Sequence, residues 1–460
     1  MRSDPSTSCR AWCDVSQHTP AGVQVRSTRD EAQALLSLDE AIVRGLAEDG
    51  GLYVPTTIPS LPDDWRDAQS LADMAETVLA AWWGDDAHEV APLLRDALPF
   101  DTPLKPLSGH RYLLELFHGP TLSFKDVGAR SMARLIGRLL RRDQKRAIVL
   151  VATSGDTGSA VADGFAGIPG VDVVLLYPKG LVSDVQERQL IVERPDVTPL
   201  AIEGDFDACQ RLVKQAFQDP ELATLGLTSA NSINVGRLLP QMLYYLWGVL
   251  QLERLGETTP PVIVVPSGNL GNLTAGLVAW HAGMPASGFH AAHNANRHFS
   301  EVLAGVTDPL QPPPTVATLS NAMDVGAPSN LERVLDKDLN VLGGHLTASV
   351  TGDAQTTERM RLTYEQDGEL VCPHTAVGLE GWEQARQSRP EWNGLPAMIL
   401  ATAHPAKFPA AVKHATGVRD VSSAALDALL DQPSRVKTLP PDFEVLKQTV
   451  VAVAGSHRAV

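Results

Sequence analysis

Residues 261–276 read PVIVVPSGNLGNLTAG: a continuous apolar run, a turn built on two glycines, and the start of a helical pattern. A strand that is apolar on both faces needs cover on both sides, which predicts a parallel sheet packed between helices. The same kind of run recurs in AIVLVATS (147–154), VDVVLLYP (171–178) and PAMILAT (396–402), with helical stretches between. The expected fold class is therefore α/β. Ligands of such sheets bind outside the carboxyl ends of the strands, where the loops gather.

Three segments at such ends carry chemistry. In SGNLGN (267–272), glycines flanking Asn269 and Leu270 let backbone N–H groups converge, and the next helix adds its positive end. The turn reads either as an anion cradle or as a plain strand-to-helix connection. Its glycine spacing is not the dinucleotide fingerprint, and no Gly-Lys-Ser/Thr closes it as in a P-loop. TSGDTGSA (153–160) offers Ser154 and Thr157 as donors to an oxyanion, with Asp156 placed to cap a helix. HGPTLSFKDVGARSMARL (118–135) sets Lys125 after Phe124 at the head of an amphipathic helix. A lysine held against apolar neighbours has a lowered pKa and serves as an amine nucleophile toward an aldehyde, although a lone lysine is ordinarily a solvated one. A poised lysine and an anion cradle, without a metal or dinucleotide motif, are what an enzyme needs to hold pyridoxal 5'-phosphate.

The whole chain bounds this reading. Its 460 residues suit two or three domains, and 44% hydrophobic with 20% charged residues is an ordinary globular composition. Acidic residues outnumber basic ones 54 to 38, a formal charge of -16, which disfavours nucleic acid as a partner. No apolar stretch is long enough for a membrane helix and the first residues lack a secretory signal's apolar centre, so a cytoplasmic protein is expected. The 4 cysteines form no Cys-x-x-Cys pair, and Cys9, Cys13 and His18 lack a fourth ligand at finger spacing, so no metal site is expected. SLDEAIVRGLAEDGG (37–51) predicts a helix with Gly50 and Gly51 just past its end, and a second helical block is expected from about Ser70 to Leu98. The charged stretch 179–221 and QPPPT (311–315) read as candidate connections between lobes.

The chain resembles the threonine synthase family, in its long bacterial and fungal branch, among the fold type II pyridoxal-phosphate enzymes. The resemblance rests on STRDE (27–31), EDGGLYVP (48–55), LELFHGPTLSFKD (114–126), VATSGDTGSA (151–160) and NSINVGRLLPQ (231–241). It continues through VPSGNLGNLTAG (265–276), TLSNAMDVGAPSN (318–330), PHTAVG (373–378) and TAHPAKF (402–408). It implies a tryptophan synthase β-like architecture: two open twisted, mostly parallel sheets with helices on both faces, plus a helical N-terminal region. The expected division is a tail over 1–22, a mainly helical region over 23–100, a large cofactor domain over 101–145 and 226–460, and a small α/β domain over 146–225.

By resemblance, Lys125 carries the cofactor as a Schiff base and shuttles protons. Gly268, Asn269, Leu270, Gly271 and Asn272 hold the cofactor phosphate, and Thr402 faces the pyridine nitrogen. Asp156 takes the loop position where related enzymes put an Asn beside the cofactor's phenolic oxygen; two negative charges there repel, which argues against direct contact. The implied substrate is O-phospho-L-homoserine, bound by Ser154, Thr157, Ser232 and Arg237, the arginine fork matching phosphate oxygens. The implied reaction is γ-elimination of phosphate and addition of water at the β carbon, with closure of the domains around the substrate. His118, His374 and His404 read as groups that orient loops or satisfy buried polar atoms. The expected assembly is a monomer or homodimer. Rival readings are another fold type II lyase, such as threonine dehydratase or cysteine synthase, and a noncatalytic relative that binds a phosphorylated amino acid.

Overall fold

In a computed structural model, which describes residues 22–30, 34–336 and 345–456, the chain opens on a small antiparallel sheet. The expected tail, with Cys9, Cys13 and His18, lies outside the described residues up to residue 21. Strands Leu36–Ser37, Gln24–Ser27 and Tyr53–Pro55 pair in that order, so strands accompany the helices expected over 23–100. Ser37 starts the first helix with a reciprocal cap: its hydroxyl accepts from Glu40 N, and the Glu40 carboxylate accepts from Ser37 N at 2.8 Å. That helix, Leu38–Arg44, stops earlier than Gly50, because Gly45 takes a left-handed φ of 72° and donates its N–H to Ala41 O. The block from Ser70 is likewise broken, at Gly84 with φ 56°, before the helix Ala87–Ala97.

Two larger sheets carry the rest. In the first, strands run in the order Leu346–Val350, Gly288–His293, Val262–Pro266, Ala397–Ala401, Arg111–Glu115 and Leu104–Leu107, all parallel except the last. The second is wholly parallel: Lys437–Leu439, Val197–Ile202, Val171–Pro178, Ala147–Ala152 and Leu227–Thr228. Every residue of Val171–Pro178 and of Val262–Pro266 is buried, as strands covered on both faces must be.

Sheet membership departs from the expected division at two places. The second sheet takes in 227–228 and 437–439, beyond 146–225, and the C-terminal helix packs Leu446 and Val450 into its core. The short strand Lys437–Leu439 covers an edge that Val197–Ile202 would otherwise leave open. Neither proposed connection joins lobes. Residues 179–221 supply helix Asp184–Ile191, strand Val197–Ile202 and helix Phe206–Gln218 of the second sheet. QPPPT (311–315) lies in an exposed loop between two strands of the first sheet. Among the described residues no helix is long and apolar enough to cross a membrane, and no group of His, Cys, Asp or Glu is arranged to hold a metal.

Candidate active site

The site forms where the carboxyl ends of the two parallel sheets meet. Lys125 opens the helix Lys125–Asp143, and the loop before it is tied to the end of strand Ala397–Ala401. Phe124 N donates to Thr402 O at 2.9 Å, and Ser123 bridges to Ala403. The segments around Lys125 and TAHPAKF, far apart in sequence, are thus one piece of structure.

The Lys125 side chain is 14% exposed, and its Nζ lies 3.8 Å from Asp156 Oδ2 and 5.2 Å from the centre of the Phe124 ring. Burial pushes the amine down to about 8; the Asp156 carboxylate pulls it up, and Lys407 and Arg237 add to the depression. Asp156 does not cap its helix: Gly155 is the cap residue, and the carboxylate turns instead to Lys407 Nζ at 2.8 Å and Gln186 Nε2 at 3.2 Å. A buried carboxylate gains more from an ammonium than from a helix end, which is why the cap reading fails. Burial would raise the Asp156 carboxyl, but Lys407 first and then Lys125 hold it well below the usual range. Directly after Lys125, Asp126 accepts from Thr121 N and Oγ1 at 2.9 and 2.6 Å. Burial lifts its carboxyl to about 6.

The glycine-rich loop has the geometry of a cradle. Leu270 adopts a left-handed φ of 62° and leads into the helix Gly271–His281. A side-chain carbon on Gly268 would come within 2.9 Å of Met323 Cα, so the backbone there admits no side chain. Asn269 faces its neighbours: its Oδ1 accepts from Ser329 N and Oγ, and its carbonyl from Asn330 N and Nδ2. Asn272 Oδ1 accepts from both Tyr244 and Tyr245 hydroxyls at 2.6 Å, which leaves Asn272 Nδ2 as a buried donor with no partner among the described residues. A pair of donors spent to aim an amide fits a site that awaits an anion.

The remaining expected residues gather around the same place. Ser232 lies against Gly271, and Arg237 packs its backbone on Gly128, in the first turn of the Lys125 helix. Arg237 is buried; it donates through Nη1 to Ala230 O at 2.6 Å while its Nε has no partner among the described residues, and burial lowers its pKa to about 10. Ser154 and Thr157 flank Asp156. Sequence reasoning passed over Lys407, Gln186, Asn330 and Arg333. Arg333 is buried and bonded to Tyr53 O, Asn330 Oδ1 and Ile233 O, so it ties the N-terminal sheet to both the NSINVGR segment and the cradle. Lys407 did carry a signal: like Lys125, it sits beside a phenylalanine in a proline-bearing turn.

The histidines hold loops. His374 Nε2 accepts from Ala322 N at 3.1 Å, His404 Nδ1 accepts from Ala406 N at 3.1 Å, and His118 pairs with Glu115 at 2.7 Å. Helix Asp184–Ile191 of the second sheet reaches across to the first, with Asn321 Nδ2 donating to Gln186 Oε1 and Gln189 Nε2 donating to Thr121 O.

These residues fit pyridoxal phosphate: an amine kept partly neutral, and a cradle with an unspent donor at a helix start. Comparison with known proteins agrees. The family model of pyridoxal-phosphate-dependent enzymes matches residues 98–394, and models of the N-terminal and C-terminal parts of threonine synthase match 24–94 and 375–450. The chain is 39% identical to threonine synthase of Escherichia coli, over 90% of this chain and 96% of that protein. It is 38% identical to that of Haemophilus influenzae, over 90% and 96%. The crystal structure of pyridoxal-phosphate-bound threonine synthase from Brucella melitensis superposes with a TM-score of 0.86 at 32% identity, covering 94% of this chain and 100% of that one.

Proposed function

The chain belongs to the threonine synthase family of pyridoxal-phosphate-dependent enzymes, and from that premise we propose that it is a carbon-oxygen lyase that converts O-phospho-L-homoserine and water to L-threonine and phosphate. The observation that carries the substrate is that two buried donors, Asn272 Nδ2 and Arg237 Nε, stand on two separate elements without partners among the described residues. A single cofactor phosphate needs one anion site; a phosphorylated substrate calls for a second.

Residues 268–272 would hold the cofactor phosphate, Lys125 its aldehyde carbon and Thr402 its ring nitrogen. When bound, the cofactor supplies an electron-withdrawing ring that acidifies C–H bonds beside the substrate nitrogen. Arg237, with hydroxyls from Ser154, Thr157 and Ser232, binds the substrate phosphate and orients it for departure. Lys125, whose amine burial pushes down to about 8, takes the α proton, hands it back within the bound complex and, as a free amine again, takes the β proton, since one group already at the substrate serves both steps. Closure of the second sheet's domain over the first excludes water until phosphate has left. The hydrogen bonds of Gln186 and Gln189 across that boundary support such a seating. We read the compartment as cytoplasmic, consistent with Cys209 and Cys372 being buried free thiols, and the assembly as a monomer or homodimer.

The test is phosphate release with phosphohomoserine, serine and threonine offered separately. Phosphate and threonine in equal amounts from phosphohomoserine alone support the reading. Turnover of serine or threonine without phosphohomoserine turnover would replace it with another lyase.

A further inference from the structure

A lysine with no solvent exposure keeps its charge only if something nearby balances it. Lys407 is such a residue: it is fully buried, with Nζ donating to Asp156 Oδ1 at 2.8 Å and to Thr121 O at 2.9 Å. The other Asp156 oxygen stands 3.8 Å from Lys125 Nζ, beyond hydrogen-bond reach. One carboxylate is therefore shared unevenly between two lysines, and the one that chemistry does not need charged holds it more tightly.

We propose that Lys407 is a positioning residue of the reaction: as the counter-ion of Asp156 it neutralises the carboxylate that would otherwise hold a proton on Lys125, and so keeps Lys125 available as a free amine. The charged groups that face Lys125 are two carboxylates, Asp156 and Asp126, and two cations, Lys407 and Arg237; His374 faces Asp156 from a further element. Removing the charge of Lys407 tips this balance to the negative side, and the Lys125 ammonium becomes the only lysine left to answer Asp156. Lys407 reaches the site from the Pro405–Lys407 turn behind strand Ala397–Ala401, and Asp156 from the start of the second sheet's helix Asp156–Phe165. The inference rests on Lys125 being the nucleophilic amine, as proposed above.

The test replaces charge without replacing hydrogen bonds. Lys407→Gln can still donate to Asp156 and Thr121, and Lys407→Arg keeps the charge. In the full chain freed of cofactor, carbamylation of Lys125 by cyanate, read by peptide mass spectrometry across pH, reports the neutral amine directly. The expected result is an alkaline displacement of that titration by about one pH unit or more in Lys407→Gln, with Lys407→Arg close to the parent, and the same displacement in the acid limb of phosphate release by the holoenzyme. Unmoved titration in Lys407→Gln, or equal displacement in both variants, would overturn the proposal and leave Lys407 a packing residue. Should Lys407→Gln fail to fold, Asp156→Asn and Asp156→Asn/Lys407→Met carry the same question. Asp156→Asn should displace the titration to acid, and the double variant should return it toward the parent; failure to return overturns the proposal. Because cyanate needs neither cofactor nor substrate, a displaced titration in a protein that releases no phosphate would count against the substrate assignment alone.

Discussion

The two ends of the site are built on opposite principles. At the Lys125 end, titrating groups crowd together: Asp156, Lys407 and Asp126 are buried, Lys125 keeps only a small exposure, and pairs of charges settle who holds a proton. At the cradle end, the work is done by neutral donors and acceptors. Asn330 bonds Asn269, two tyrosine hydroxyls bond Asn272, and even the buried cation there, Arg333, bonds two backbone carbonyls and an amide oxygen. The first end is suited to moving protons and the second to holding an anion without competing for one. Substitutions at the first should therefore move pH profiles, and substitutions at the second should change affinity or stability at every pH alike.

The sharpest probe of this contrast is Lys125→Ala. It should cut phosphate release by at least about 10³-fold and abolish the cofactor's visible band change on adding substrate, with little loss of fold. Residual turnover within about tenfold of the parent would break the assignment of proton transfer to this end. Next comes Arg333→Leu, which leaves Tyr53 O, Ile233 O and Asn330 Oδ1 without their donor. It should cost about 2–4 kcal/mol of stability, measured by denaturant midpoint, with an unshifted pH profile in the enzyme that remains folded. Gly268→Ala sets a carbon 2.9 Å from Met323 Cα. The strain, about 1–3 kcal/mol, should appear as roughly 10- to 100-fold weaker cofactor binding by fluorescence titration, again independent of pH.

Much of this arrangement was legible because local patterns announced it. Continuous apolar runs gave away the buried parallel strands, and the glycine pair in SGNLGN marked the turn whose backbone leaves no space for a side chain. Lys125 could be singled out because Phe124 and a helical pattern adjoin it. What stayed hidden was pairing over distance. Asp156 reads as a helix cap because caps are local, whereas its real partner, Lys407, arrives through tertiary packing alone. Strand Lys437–Leu439 is three residues long, too short for any period to show, so its place in the second sheet could not be read. Arg333 looks like any helical arginine until its three acceptors, drawn from separate parts of the chain, are folded around it.

His374 tests whether the charge-rich end is delimited where the geometry draws it. Its ring is buried, and Nε2 accepts a hydrogen bond from Ala322 N, a bond that requires that nitrogen to be unprotonated. Burial lowers its pKa from 6.5 to about 4, with Asp156 pulling up and Lys125 and Lys407 pushing down. A histidine whose folded pKa lies below its unfolded value binds more protons when unfolded, so stability rises with pH across the window from about 4 to 6.5 and is lost as pH falls through it. His374→Gln removes the titrating group, and its amide oxygen can still accept from Ala322 N. It should flatten the stability difference between about pH 7.5 and about pH 5.5 by roughly 1 kcal/mol, read from urea unfolding at the two values. An unchanged difference would mean that His374 takes up its proton between those two pH values in the folded protein as it does in the unfolded one, and the proton-handling end of the site would then extend one residue further than the hydrogen bond to Ala322 allows.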